Sequence, residues 1–149
     1  MARHPRWVTE FLSEEDLAAI VRAVAEAEAR TSAEIRVHLD HRCPGDALRQ
    51  AIAVFERLGM HKTAARHGVL IYVAVTDHKL AIIGDRGIHE RVGDAYWRRL
   101  VAAVTAHFRS ERLREGFRHA VADVGAALAR HFPRRPGDKN ELSDEVTIG

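Results

Sequence analysis

The chain has 149 residues, 46% of them hydrophobic, which is enough for one globular domain with its own core. The only cysteine, Cys43, excludes an internal disulfide framework and a cysteine-rich zinc site. The formal net charge of +2 is weak support for a polyanionic partner. No apolar run approaches the roughly 18 residues of a membrane helix, and residues 1–7 lack the apolar stretch of a signal peptide. We therefore expect a cytoplasmic protein without a membrane span.

The first predicted elements are a helix and a strand. Residues 1–10 carry no periodic pattern and are expected to form an N-terminal extension. Ser13 is a favourable N-cap with Asp16 three residues later, so a helix is predicted from there to about Arg30. Strict alternation then predicts a strand over residues 34–40 with one buried and one wetter face. The buried face is expected to hold Ile35, Val37 and Leu39, and the wetter face Arg36 and His38.

The middle of the chain predicts a second helix followed by a β-hairpin. Residues 44–46 break the first strand, and Gly59 is a natural end for the helix that follows. The apolar stripe of this helix consists of Leu48, Ala51, Ile52, Phe55 and Leu58. Residues 68–75 are apolar on both faces, which is typical of a central strand, and residues 80–83 return antiparallel to it.

The last third of the chain predicts helices and an acidic tail. A short helical turn over residues 88–92 precedes a longer helix, and a last helix ends at Pro133. The order is α-β-α-β-β-α-α, and its strand–helix–strand unit should cross over right-handed with parallel strands. This order predicts a three-layer α/β/α sandwich around a small mixed sheet. We expect one domain over residues 11–133 and an extended or loose tail over residues 134–149.

The predicted topology places polar residues at both ends of the sheet. The first end collects Thr31, Ser32, Glu34, Arg66, His67, Gly84 and Asp85. The second end collects Asp40, His41, Cys43, Asp77 and His78. Either end is a candidate site, because polar side chains at strand ends converge.

The first end suggests a cation site. Asp85 lies between Gly84 and Gly87, where the backbone can turn sharply, and Glu34 begins a strand at the same end. Two carboxylates with carbonyl oxygens suit a hard cation such as calcium or magnesium. Two alternatives stay open: Asp85 bonds its own backbone in a turn, and Glu34 pairs with Arg36 on the strand surface.

Other chemistry has less support in the sequence. Cys43 beside His41 lacks a recognisable nucleophile motif and is expected to be a loop thiol without function. The chain has no phosphate-binding glycine loop, no serine hydrolase motif and no metalloprotease motif, and its helical histidines are spaced by twelve residues. A face rich in arginine is a weak candidate for nucleic-acid binding, formed by Arg98, Arg99, Arg109, Arg112, Arg114 and Arg118.

The order of these motifs resembles the TPM-domain family, in its short stand-alone bacterial branch. The resemblance spans about residues 11 to 146 in chain order. The segments that carry it are Phe11-Leu12, residues 25–37, residues 55–60 with Thr63, residues 66–74, residues 81–88, Glu115-Gly116, and an ending with Phe132-Pro133, Asp138 and residues 140–142. This chain departs from the family at Ala33, where glycine is common, and at His67, where asparagine is common.

The resemblance implies an α/β/α sandwich whose members include weak acid phosphatases and calcium-binding proteins. Carried over residue by residue, it gives Glu34 and Asp85 as metal ligands. The candidate contacts for phosphate or another ligand at the same sheet end are Arg36, Arg66, His67 and Ser32. We expect calcium, or magnesium, at the acidic sheet end and at most weak phosphatase activity. A non-catalytic protein-interaction module is the main alternative, with an unknown protein partner. Many family members are attached to the cell envelope or membrane.

Overall fold

A computed structural model describes residues 4–62, 67–135 and 144–149. The helices are α1 (Arg6–Thr9), α2 (Glu14–Glu28), α3 (Ala47–Arg57), α4 (Arg86–Arg109) and α5 (Leu113–His131), with a 3-10 turn at Met60–Lys62. The strands are β1 (Ile35–Asp40), β2 (Val69–Ala74), β3 (Lys79–Gly84) and β4 (Thr147–Ile148). In this described part of the chain, no helix is both long and apolar enough to cross a membrane.

The strands form one mixed sheet in the order β3-β2-β1-β4. β1 is parallel to β2 and to β4, and β3 is antiparallel to β2. Helix α3 covers one face, while α2, α4 and α5 pack against the core on the other, so the three-layer sandwich predicted from the sequence is confirmed. The fourth strand was not predicted, because residues 147–148 lie in the expected loose tail; residues 136–143 of that tail lie outside the described residues.

The predicted helix starts and breaks agree with the local geometry. Ser13 and Asp16 form a reciprocal capping box at the start of α2. Gly93 interrupts α4 with a φ of 78°, which separates the predicted short turn from the longer helix. The expected N-terminal extension contains α1, and its Val8 is fully buried against the core. Helix α1 therefore packs against the main core.

The alternation in β1 is only half correct as a prediction of burial. Ile35, Val37 and Leu39 are buried, as predicted. His38 was expected on the wetter side, yet it is only 2% exposed. The reason is that the His38 ring lies among polar partners, since it bonds to Thr147 of β4 and to Asp40 and stacks on Tyr72.

Helix α3 buries less of its apolar stripe than its sequence predicts. Ala51 and Phe55 are buried, but Leu48 is 50% exposed and Ile52 is 46% exposed. Helix α3 contacts β2 and β3, and β3 is the outer strand of the sheet. One side of the stripe therefore extends past the sheet edge, where the described residues leave it uncovered.

Candidate functional site

The two carboxylates predicted to share a cation lie at the same end of the sheet. The carbonyl of Glu34 accepts the Val69 amide at 2.9 Å, and the Asp85 amide donates to the Gly68 carbonyl at 2.8 Å. Both acidic residues are buried. Strand β2 runs between their strands, so their backbones are separated by two strand spacings, roughly 10 Å. A shared ion stays a prediction.

Asp85 caps the first turn of α4. Its Oδ1 accepts a hydrogen bond from the Arg86 amide at 2.7 Å. Burial lowers the pKa of the His67 imidazole. The negative charge of the Asp85 carboxylate acts in the opposite direction and partly offsets that shift. The alternative in which Asp85 bonds local backbone is therefore present in the structure. A helix-capping carboxylate retains lone pairs for another ligand.

Glu34 belongs to a different group of charges, which we call the acidic cluster: Glu28, Glu34, Arg36, Asp144 and Glu145. Glu28, at the end of α2, is fully buried, and its Oε2 accepts the Ile35 amide at 2.7 Å. Burial lowers the pKa of the Arg36 guanidinium. The carboxylates of the cluster oppose this shift, because their negative charges favour the charged guanidinium. The cluster forms where β1 begins and the chain approaches β4.

The pKa of Glu28 in the acidic cluster lies well above the ordinary range for a glutamate. Burial, a hydrogen bond with Asp144, and the negative charges of Asp144 and Glu34 raise the pKa of Glu28 to about 10. Two carboxyl groups can hydrogen-bond only if one is protonated. Among the described residues, Glu28 Oε1 and Asp144 Oδ1 are buried and accept no hydrogen bond, which fits a carboxyl in its neutral form.

The oxygen atoms of the acidic cluster are of the type that binds a hard cation. Their arrangement, however, is that of two carboxyl groups, Glu28 and Asp144, that share a proton. Carboxylate oxygens are the ligands that calcium prefers. Within the described residues, however, no three acidic, histidine or cysteine side chains are arranged to hold a metal ion. A cation would have to displace the proton of Glu28 and draw the carboxylates together.

The predicted phosphate contacts do not form one anion pocket among the described residues. The Ser32 amide donates to the Phe132 carbonyl at 3.0 Å, and the His67 ring stacks on the Phe132 ring at 3.5 Å. Arg36 lies among the carboxylates of the acidic cluster. Arg66 lies outside the described residues. Ser32 and His67 therefore both contact the end of α5.

The second end of the sheet separates the residues proposed for nucleophilic chemistry. His41 is exposed and stacks on Trp7 at 5.1 Å, whereas Cys43 is buried beneath α3. The Cys43 amide donates to Asp77 at 2.6 Å. Cys43 therefore belongs to the smaller core, and Asp77 holds its loop.

Cys43→Ser is expected to leave calcium binding unchanged and to lower the free energy of unfolding by about 1 kcal/mol, because a hydroxyl replaces a buried thiol. Urea denaturation and a calcium titration of the same variant measure the two effects. If Cys43→Ser lost the response to calcium while Asp85→Asn kept it, the binding site would lie at the second end of the sheet.

The sequence interpretation missed a buried polar network around Asp40. Its Oδ1 accepts from His38 Nε2 at 2.8 Å, and its Oδ2 accepts from the Tyr72 hydroxyl at 2.7 Å and from Gln50 Nε2 at 3.3 Å. His38 Nδ1 lies 2.7 Å from the Thr147 hydroxyl of β4. The network therefore joins β1, β2, α3 and β4.

The protonation states within this network follow from its partners. Burial lowers the pKa of His38, so the imidazole is neutral at pH 7. Because Asp40 can only accept, His38 carries its proton on Nε2 and its Nδ1 accepts from Thr147. Burial pushes the pKa of Asp40 up, but hydrogen bonds from Tyr72 and His38 outweigh it and leave the pKa lowered.

The helical arginines and histidines form contacts that spacing alone did not predict. Arg114 donates to Asp16 at 2.6 Å, so part of the arginine face is used within the domain. His107 of α4 and His119 of α5 approach to 3.3 Å, because the two helices pack together. Nucleic-acid binding stays a prediction.

Comparison with known proteins agrees with this architecture. The TPM domain model matches residues 8–127. The solved structure of the BA42 protein from the psychrophilic bacterium Bizionia argentinensis is 39% identical, covers 95% of this chain and 98% of its own, and superposes with a TM-score of 0.87. No curated protein gives a significant match. The family match covers most of the chain and agrees with the fold, so this chain belongs to the TPM-domain family.

Proposed function

We propose that this TPM domain binds a divalent cation, with calcium as the first candidate, at the acidic end of its sheet. The observation that carries the proposal is the meeting of the carboxyl groups of Glu28, Glu34 and Asp144 where β1 begins, with Glu28 and Glu34 both buried. Carboxyls that retain a proton because their charges repel can exchange it for a cation, which relieves the same repulsion. Glu34 and Asp85 remain the proposed ligands, joined by Glu28 and Asp144.

Any phosphatase activity is proposed to be weak. A bound cation would polarise a phosphoryl oxygen. The side chains that act on Glu28 and Arg36 in the acidic cluster are carboxylates, and none of them is a serine, cysteine or histidine that could act as an activated nucleophile. Arg36 already compensates several carboxylates, which weakens it as a phosphate ligand.

Calcium is expected to stabilise the fold. At a dissociation constant of about 0.1–1 mM, a few millimolar calcium adds about 1–2 kcal/mol and raises Tm by several degrees. Differential scanning calorimetry with and without calcium measures the rise. Glu34→Gln and Glu28→Gln should each reduce the rise in Tm. Asp85→Asn should also reduce it if one ion binds both Asp85 and Glu34, which lie on opposite sides of β2. Asp94→Asn is the matched control, because the Asp94 side chain is 74% exposed. An unchanged Tm in the native sequence contradicts the proposal.

Calcium binding should also release a proton. Because Glu28 titrates near pH 10, binding at pH 6–9 must remove its proton. The apparent affinity should therefore rise with pH, by up to about tenfold per pH unit. Calorimetric titration in buffers of different ionisation enthalpy counts the released protons, and Glu28→Gln should eliminate them.

The second candidate function is a non-catalytic interaction module. The exposed Leu48 and Ile52 favour it, because exposed apolar side chains that adjoin an outer strand mark an interaction surface. This candidate does not require the acidic cluster. A calcium-independent Tm would leave it as the better account of the domain.

A further inference from the structure

A groove runs along the outer strand β3, between α3 and the start of α4. Its volume is about 490 Å³. Leu48, Ile52 and Phe55 of α3 line one wall, and Trp97 of α4 lines the other. Leu48 and Ile52 are the two large hydrophobic side chains that are exposed in the described part of the chain. The groove therefore combines a sheet edge with an uncovered apolar surface.

The backbone of β3 offers hydrogen bonds toward this groove. The Asp85 amide bonds to Gly68, and directly opposite residues of antiparallel strands alternate between bonded and non-bonded pairs. By that alternation, the backbone groups that bond inward to β2 are those of Ile83, Ala81 and Lys79. The amides and carbonyls of Leu80, Ile82 and Gly84 then point outward, where no other described strand pairs with them.

We infer that a second copy of this chain occupies the groove, with the two β3 strands antiparallel about a two-fold axis at Ile82. This register pairs Ile82 with Ile82 of the second copy and Leu80 with Gly84 of the second copy. It uses all three outward-pointing residues in each chain. The two sheets become one continuous sheet, and the exposed edge disappears.

The apolar surfaces match in this arrangement. A two-fold axis perpendicular to the sheet places α3 beside α3 of the second copy and antiparallel to it. Ile52 then lies near the axis and Leu48 beside the second half of the other helix. On the opposite face, Leu80 of the second copy lies next to Gly84, against which the Trp97 ring packs. Each exposed apolar side chain acquires an apolar neighbour.

The charges are also self-complementary. Exposed Arg49 lies in the first half of α3 and exposed Glu56 in the second half, so antiparallel helices set each arginine against the glutamate of the other copy. Opposite charges therefore meet on both sides of the axis, which is what an isologous interface requires.

Sedimentation velocity of the full chain tests the dimer. We expect the native protein to shift from monomer to dimer with a dissociation constant of about 1–100 µM, as for interfaces of modest size. Ile52→Lys should weaken the dimer at least tenfold. Ala53→Lys is the matched control, because Ala53 is exposed on α3 but does not line the groove. Arg49 also lies outside the groove lining, but the antiparallel arrangement sets it against Glu56 of the second copy. Arg49→Glu should therefore weaken the dimer, and the double variant Arg49→Glu with Glu56→Arg should restore it.

Hydrogen exchange shows which surface is used. Exchange of the Leu80, Ile82 and Gly84 amides should slow as the protein concentration rises, while exchange at exposed amides of α2 stays constant. A native chain that stays monomeric at millimolar concentration overturns the inference and leaves the groove to a different partner. A dimer that Ile52→Lys does not weaken overturns it as well, because its interface lies elsewhere.

Discussion

Asp40→Ala is expected to lower the free energy of unfolding by about 3–5 kcal/mol, as for other buried charged groups that lose a partner. The Asp40 carboxylate accepts hydrogen bonds from His38, Tyr72 and Gln50. Its removal leaves an imidazole N–H and a phenol O–H buried without an acceptor. A Cβ on Gly149 would overlap Asp40, so the chain after β4 closes over this carboxylate and limits access of water. Urea denaturation at pH 7 measures the loss.

Controls separate the network from a general effect of losing an aspartate. Asp94→Ala should change stability by no more than about 0.5 kcal/mol, because the Asp94 side chain is 74% exposed. Tyr72→Phe should cost about 1–2 kcal/mol, and its effect should largely vanish in the Asp40→Ala background. The lowered pKa of Asp40 stabilises the fold above the unfolded pKa, and this stabilisation is lost as the pH falls through the folded pKa. A cost below about 1 kcal/mol at pH 7 would contradict this account.

The sequence predicts the sheet well because hydrophobic periodicity reports which side of an element is apolar. It fails at His38 and Asp40 because alternation cannot distinguish a solvent-facing polar residue from a buried one that has polar partners. His38 is covered by Thr147, which is 109 residues away along the chain, and Asp40 by Gly149. A two-residue strand such as β4 also carries too little pattern to be recognised.

Glu28 was missed for a different reason, although the sequence contained a signal for it. It lies four residues after Val24 and so continues the apolar stripe of α2 onto an acidic side chain. It also lies at the C-terminal end of the helix, where a negative charge is unfavourable. Together these features indicate a carboxyl that is buried and protonated. Its partner Asp144 lies in the tail, where only the folded structure brings it close to the helix end.

The proton on Glu28 makes stability depend on pH. Its pKa is about 10 in the folded state, well above the ordinary value, because of burial and the carboxyls of Asp144 and Glu34. The folded chain therefore binds more protons than the unfolded chain at every pH between these two values. Stability that this proton provides is fully present below the unfolded pKa and is lost as the pH rises toward 10. Without calcium, the native protein should become less stable from pH 6 to pH 9.

Glu28→Gln is expected to remove most of this pH dependence and to exceed the native protein in stability at pH 9 by about 1–3 kcal/mol. The amide keeps the acceptor for the Ile35 amide and supplies an N–H toward Asp144, so it reproduces the protonated acid. Urea denaturation at pH 5, 7 and 9 with a chelator present measures the effect, and the two proteins should be nearly equal at pH 5. Glu26→Gln is the matched control on the exposed side of α2. If Glu28→Gln were destabilised equally at all three pH values, Glu28 would be ionised in the fold and paired with Arg36, and the cation proposal would lose its main support.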